Sequence, residues 1–337
     1  MIKVAINGFG RIGRLAFREM TTGTDFDIVA INDLTDAETL AYLLKYDTNH
    51  RSFHENIIKF EGDEIVIKDS KRIKVFAEAD PANLPWGDLG VDVVLECTGH
   101  YTDLEGASKH IQAGAKKVII SAPGKGEMKT IVYNVNSDTL DGSETVISAA
   151  SCTTNCLAPV LKVLQDNIGI EKGYMTTVHA YTNDQATLDI PHKKGILARR
   201  GRACAQNIVP ASTGAASAIG LVIPEIAGKL DGNAFRVPVS DGSVVDVTLE
   251  LSRPTTKDEI NELLKNNESD TLKFTMDPIV SSDVIGKKCG ALVDGLLTNV
   301  LDADGKQLVK VVAWYDNEMG YTAQMMRTAK KLMNIEK

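Results

Sequence analysis

The sequence predicts an α/β protein in two parts, a doubly wound parallel sheet followed by an α+β catalytic domain whose sheet is mainly antiparallel. Short apolar strands alternate with amphipathic helical runs up to about residue 150, long alternating runs follow, and the texture changes close to Cys152. A chain of 337 residues, 43% hydrophobic and 24% charged, suits roughly two domains with sizeable cores, which excludes disordered and fibrous classes.

Taken in order, Ile2 to Asn7 reads as a strand, Arg11 to Met20 as a helix, Ile28 to Ile31 as a strand and Ala37 to Leu44 as a helix, the βαβ signature. Strands follow at Val91 to Glu96, Lys117 to Ile120 and Thr145 to Ser148, with a helix over Leu104 to Ala113. Beyond Cys152, Tyr174 to Val178, Val244 to Leu251 and Val309 to Tyr315 read as strands. Thr322 to Met333, with Met325, Met326, Ala329 and Met333 at helical spacing, reads as a closing helix. The expected domains are 1–151 with 318–337, and 152–317.

A net charge of -8 and a pI near 5.4 argue against nucleic-acid or polyanion binding, which needs an excess of Lys and Arg. Met1 to Lys3 runs directly into the first strand without a leader, so a cytoplasmic protein is expected. The longest uncharged stretch, Ala203 to Pro224, holds Gln206, Asn207, Pro210, Ser212 and Thr213; it is a poor membrane span and reads as buried loop and helix. Five scattered cysteines suit a reducing compartment, and Cys152 with Cys156 lacks the companions of a zinc site, so no metal is expected.

Gly8-Phe9-Gly10-Arg11-Ile12-Gly13 follows a strand and opens a helix. That context is the Rossmann-type dinucleotide fingerprint: Gly8 for the tight turn, Gly10 for backbone approach to a pyrophosphate, Gly13 for helix–strand packing. Asp33 ends the second strand, where a carboxylate accepts from ribose hydroxyls and repels a 2'-phosphate; with no Arg beside it, NAD is expected over NADP.

Ser151 reads as the N-cap of a helix carrying Leu157, Val160, Leu161 and Leu164 on one face, with Pro159 inside it. Cys152 then sits in the first turn, where the helix end is expected to lower a thiol pKa that starts at about 8.5. Cys97, Cys156, Cys204 and Cys289 lack that context and read as small buried hydrophobes. His179, at the end of a strand in Thr177-Val178-His179-Ala180-Tyr181-Thr182, is the candidate base. His50, His54, His100, His110 and His192 lack comparable company, and the basic run from His192 to Arg202 reads mostly as a solvated loop.

These segments, with Ser212-Thr213-Gly214-Ala215-Ala216 and Trp314 to Tyr321, resemble phosphorylating NAD-dependent glyceraldehyde-3-phosphate dehydrogenases over nearly the whole chain. The resemblance implies a glycolytic oxidoreductase and a homotetramer. It implies aldehyde oxidation through a Cys152 thiohemiacetal and thioester, with His179 as base and inorganic phosphate as acceptor. It assigns Thr182 and Arg236 to the phosphate of glyceraldehyde 3-phosphate, Ser151, Thr153, Thr213 and Gly214 to the attacking phosphate, and Arg199 to both. Asn7, Gly8, Gly10, Arg11, Ile12, Asp33, Ser121, Asn317 and Tyr321 fall to NAD, with Leu34 and Pro191 matching the NAD-selective form. Departures are Ala79 for a common Arg, His100-Tyr101 for a frequent aromatic pair, and an altered turn at Ser240-Asp241-Gly242. The competing readings are an erythrose-4-phosphate dehydrogenase and a catalytically silent binding protein on the same fold; intact Cys152, His179, Arg199, Thr213 and Gly214 count against them.

Overall fold

The computed structural model describes residues 1–192 and 195–335. Lys193 and Lys194 of the basic run, and Glu336 and Lys337 at the end of the expected first domain, lie outside the described residues. The chain forms two compact units, one of Met1–Tyr133, Ser137–Ala150 and Met325–Lys337, the other of Asn134–Asn136 and Ser151–Gln324.

In the first unit, β1 (Ile2–Asn7), α1 (Arg11–Thr21), β2 (Phe26–Asn32) and α2 (Ala37–Lys45) follow the expected alternation. Then come β3 (Ile58–Glu61), β4 (Glu64–Ile67), β5 (Lys71–Phe76), α3 (Trp86–Leu89), β6 (Val93–Glu96), α4 (Leu104–Gln112), β7 (Lys117–Ile120), β8 (Lys129–Thr130) and β9 (Val146–Ser148). The sheet order is β3-β4-β5-β2-β1-β6-β7-β9-β8. All pairings are parallel except β3 with β4 and β4 with β5, an antiparallel edge that the sequence reading lacked. Central strands are apolar on both faces, as in Val4-Ala5-Ile6 and Val93-Val94-Leu95, because a parallel sheet is covered on both sides. The chain leaves β1 for β2 on one side and returns to β6 on the other, a topological switch point whose crevice lies beyond the carboxyl ends of the strands.

The second unit holds α5 (Cys152–Asn167), β10 (Ile170–Ala180), β11 (Val209–Ser212), α6 (Ala215–Val222), β12 (Leu230–Val237), β13 (Ser243–Leu251), α7 (Lys257–Asn266), β14 (Leu272–Thr275), β15 (Ala291–Asp294), β16 (Asn299–Ala303) and β17 (Lys306–Tyr315). Its sheet runs β11-β12-β10-β13-β17-β15-β14, with β16 beside β17. The pairings are antiparallel except β10 with β12 and β14 with β15. Ala203 to Pro224 contains strand β11 as well as the expected helix.

The closing helix α8 (Met319–Met333) starts three residues before the expected Thr322, because Asp316 Oδ1 accepts from the amides of Glu318 and Met319. Its opening residues belong to the second unit, where the Thr271 hydroxyl donates to Gln324 Oε1, and its remainder belongs to the first.

Gly13 is a packing constraint: a Cβ there would lie 2.2 Å from Gly8 O, a backbone atom that yields only by moving the turn. We expect Gly13→Ala to lower unfolding free energy by about 1–3 kcal/mol in urea titrations, as overpacking does. A wild-type midpoint would show that the helix shifts without cost.

Candidate active site

Ser151 caps α5 as the spacing predicts, its Oγ accepting from Thr154 N at 3.0 Å, so Cys152 is the first helical residue. Two residues before it the chain passes through Ala150 at φ 59°, a left-handed conformation that costs a non-glycine residue about 1 kcal/mol or more. An alanine does not announce that conformation in sequence.

Cys152 Sγ lies 3.4 Å from His179 Nε2. His179 sits inside β10, one residue before its end, and is almost wholly buried. Its Nδ1 lies 2.7 Å from Ala180 O, a carbonyl that can only accept, which puts the proton on Nδ1 and the lone pair on Nε2, facing the thiol. Arg236 Nη1 lies 2.9 Å from the same Nδ1 and donates to Ala180 O at 3.0 Å and to Thr182 Oγ1 at 3.1 Å. Two donors cannot bond each other, so the contact between Nδ1 and Arg236 is repulsive. Burial first, then the charges of Arg236 and Arg200, push His179 down to about 3, leaving a neutral base.

The thiol departs from expectation. Loss of water around the sulfur pushes Cys152 up, against the pull of the Arg236 charge and of the hydroxyl and amide of Thr153. The donors at the helix end and the Arg236 charge oppose that burial without cancelling it. Cys156 is raised well above the usual range by burial, and its Sγ faces Ala313 O at 3.7 Å; Cys97 is pushed up to about 12 by burial. Cys156 and Cys289 are buried as expected, whereas Cys97 and Cys204 are only partly buried and Cys97 lines a cavity of the first unit.

A strand the sequence reading lacked explains the neighbourhood. β12 pairs in parallel with β10 in a register that sets Arg236 opposite His179. On the other flank β13 pairs with β17, bringing Ser243 opposite Tyr315. Ser243 Oγ accepts from Ala180 N and donates to Asn317 Oδ1 at 2.7 Å, fixing that amide. Tyr315, edge-on to the His179 ring, lies 3.0 Å from Thr153 Oγ1 and 2.8 Å from Thr177 Oγ1. Because Thr177 donates to Val244 O, it accepts from Tyr315, and Tyr315 accepts from Thr153. Nothing in the sequence reading singled out Tyr315.

Arg199 and Arg200 part company. Arg199 is exposed and lines a cavity with Pro191, Ile196 and Pro210, whereas Arg200 is half-buried, pairs with Asp184 and acts on both His179 and Arg236. The charge of Arg200 is the one that reaches His179 and Arg236, while the exposed Arg199 is its neighbour in the 3-10 turn Arg199–Gly201. Asp184 also accepts from the Thr182 hydroxyl. Arg236 Nε and Gln185 Nε2 are buried donors without a partner among the described residues, a donor set suited to an anion. Thr213 and Gly214 stand at the start of α6, where Thr213 Oγ1 accepts from Ala215 N.

In the first unit, a cavity of about 460 Å³ is lined by Asn7, Gly8, Gly10, Asn32, Asp33, Leu34, Glu78, Ala79, Cys97, Thr98, His100 and Tyr101. Gly8 has φ 91°, and a Cβ on it would meet Thr98 N at 2.7 Å. Asp33 is braced by Phe9 N on Oδ2 at 2.8 Å and Thr35 N on Oδ1 at 3.0 Å, and Leu34 is exposed. Gly10 is the N-cap of α1 and brings no side chain to that helix end. The Arg11 guanidinium is engaged by Asp47, and neither Arg11 nor Ile12 is among the residues lining the cavity. Ser121 N donates to Glu96 O at 2.9 Å. Tyr101 OH donates to Ala79 O at 2.7 Å. Tyr321 is buried in α8. A glycine turn, an uncapped helix end and a braced carboxylate fit a dinucleotide.

Fold and site together define a nicotinamide-dependent oxidoreductase. Residues 2–104 match the family model described as the NAD binding domain of glyceraldehyde 3-phosphate dehydrogenase, and 151–317 match its C-terminal domain. Over 337 residues, covering both chains completely, the sequence is 58% identical to the glyceraldehyde-3-phosphate dehydrogenases of Clostridium acetobutylicum and Clostridium pasteurianum. It is 55% identical over 339 residues to that of Streptococcus pyogenes, again covering both completely. The chain belongs to the glyceraldehyde-3-phosphate dehydrogenase family.

Neutral His179 has a consequence for stability. Its folded pKa lies below the ordinary 6.5, so the unfolded chain binds the extra proton, and its stabilising share, complete above about pH 6.5, is lost as pH falls toward about 3. Denaturant titrations at pH 7 and pH 5 should show a loss of about 2 kcal/mol that His179→Asn removes. Equal pH slopes in the two proteins would mean that His179 takes up its proton in the fold.

Proposed function

We propose that this enzyme oxidises glyceraldehyde 3-phosphate to 1,3-bisphosphoglycerate with NAD and inorganic phosphate. The observation that carries the reading is the 3.4 Å pair of Cys152 Sγ and the unprotonated His179 Nε2 beside the Arg236 and Thr182 anion cradle. His179 takes the thiol proton as sulfur adds to the aldehyde carbon, and returns it to the carbonyl oxygen, giving a thiohemiacetal. It then withdraws the hydroxyl proton as hydride leaves that carbon, so a thioester remains on Cys152. Bound NAD supplies the hydride acceptor. Phosphate oxygen attacks the thioester, the carbon–sulfur bond breaks, and the acyl phosphate leaves a thiolate that recovers its proton.

Thr182, Arg236 and Arg200 hold the substrate phosphate, with guanidinium forks suited to its oxygens. Ser151, Thr153, Thr213 and Gly214 hold the attacking phosphate, and Arg200 takes the part the sequence reading gave to Arg199. Asp33 holds the adenosine ribose; Asn7, Gly8, Gly10, Arg11, Ile12 and Ser121 hold the rest of the nucleotide. The fixed Asn317 amide donates to the carboxamide, with Tyr321 nearby. The chain assembles as a homotetramer: Leu188, Ile190 and Ile208 are exposed, as are Ile196 at 97% and Leu197 at 90%, an apolar surface that a second copy would cover. No helix among the described residues is long and apolar enough to cross a membrane. A cytoplasmic site of action fits the thiol chemistry.

NADH formation should require both inorganic phosphate and Cys152, and Cys152→Ser should abolish it; turnover that ignores phosphate would move the reading to a hydrolytic dehydrogenase such as one for erythrose 4-phosphate. Arg200→Ala should lower kcat/KM for glyceraldehyde 3-phosphate at least about tenfold, and Arg199→Ala by less than about twofold. The reverse pattern would restore Arg199. Arg236→Ala should cost the phosphorylated aldehyde far more than an unphosphorylated one, and equal losses would reject its phosphate contact.

A further inference from the structure

His110, which looked isolated in sequence, lies at the centre of a buried polar chain behind the dinucleotide cavity. Trp86 Nε1 lies 3.0 Å from His110 Nδ1, and His110 Nε2 lies 3.1 Å from Glu96 Oε2. Indole N–H can only donate, so His110 Nδ1 accepts; Nε2 then carries the proton and donates to the carboxylate. Glu96 Oε2 also accepts from Asn7 Nδ2 at 2.6 Å, while Oε1 accepts from Thr98 N at 2.8 Å and from the Thr98 hydroxyl. Asn7 Oδ1 in turn accepts from Asn32 Nδ2 at 2.7 Å. Trp86, His110 and Glu96 are completely or almost completely buried, and no Lys or Arg takes part in these bonds.

A buried carboxylate satisfied by these donors is a rigid centre, because moving any donor away leaves it uncompensated in a medium that screens poorly. Its partners Asn7 and Thr98, and Asn32 beyond Asn7, line the dinucleotide cavity. Thr98 N is the atom that a Cβ on Gly8 would strike, so the seat of Thr98 sets the clearance of the glycine turn. We propose that His110 and Glu96 are positioning residues for NAD: Trp86 fixes the His110 tautomer, His110 and Glu96 hold Asn7 and Thr98, and those two shape the pocket. The proposal rests on the reading of Gly8, Gly10 and Asp33 as the NAD site.

Calorimetric titration of NAD into the full-length protein tests it. His110→Phe keeps a ring but loses both hydrogen bonds and should raise Kd at least about tenfold, whereas His110→Gln, whose amide can donate to Glu96 and accept from Trp86, should stay within about threefold of wild type. Trp86→Phe removes one bond, keeps the packing and should raise Kd about threefold; it decides the matter if His110→Phe fails to fold. The proposal falls if the folded variants lose thermal stability but keep wild-type Kd, since the chain would then be structural only. Asp33→Ala separates the two levels. If it binds NAD like the wild type, the site reading fails and the proposal with it; if it alone weakens NAD, the site stands and the positioning role is overturned.

Discussion

A cation half-buried against a histidine that must remain neutral is the constraint around which the second unit is arranged. Arg236 and His179 share a neighbouring carbonyl, Ala180 O, and stand opposite each other in a parallel strand pair. Burial first, and then the guanidinium, suppress imidazolium, which keeps Nε2 as an acceptor facing the Cys152 thiol. The same charge favours thiolate once the proton has moved. One residue thus adds to the suppression of charge on His179 and favours charge on Cys152, while its remaining donors suit an anion. The arrangement is possible because Asp184 and the Thr182 hydroxyl lie beside the two arginines, since buried like charges without such partners are costly.

The geometry around the pair follows from sheet register rather than from local propensity. Thr177, His179, Ser243 and Tyr315 come from three adjacent strands, β10, β13 and β17, and a slip of one residue in any pairing would turn its side chain to the other face. The hydroxyl chain from Thr153 through Tyr315 and Thr177 to Val244 O links the first turn of α5 to that sheet. In the first unit the same office is performed by a carboxylate: Glu96, at the end of β6, gathers donors from β1, α4 and the loop that follows it. Both units place their polar chemistry at strand ends, where the backbone ladder stops and side chains must satisfy one another.

Elements whose signal is local were legible. The glycine turn after β1, the N-cap at Ser151 and the strands Lys117–Ile120 and Ser243–Leu251 are written in residue type and spacing. The edge strands Ile58–Glu61 and Glu64–Ile67 were missed because they are short and flanked by charges, and Leu230–Val237 because Asp231, Gly232 and Asn233 dilute its apolar pattern. Missing β12 hid the partner of His179. Exposure then separated Arg199 from Arg200, adjacent residues of one type that no composition argument distinguishes.

The sequence by itself determined the class of fold and the dinucleotide turn with Asp33 beyond it, and it offered Cys152 and His179 as candidate nucleophile and base, because each is carried by a short run of residues whose chemistry needs few distant neighbours. Tertiary structure decided which proton sits where. Burial reversed the direction expected for Cys152, the carbonyl of Ala180 chose the His179 tautomer, and Trp86 chose that of His110. Those outcomes depend on desolvation and on contacts between residues far apart in the chain, quantities that spacing along a sequence does not encode.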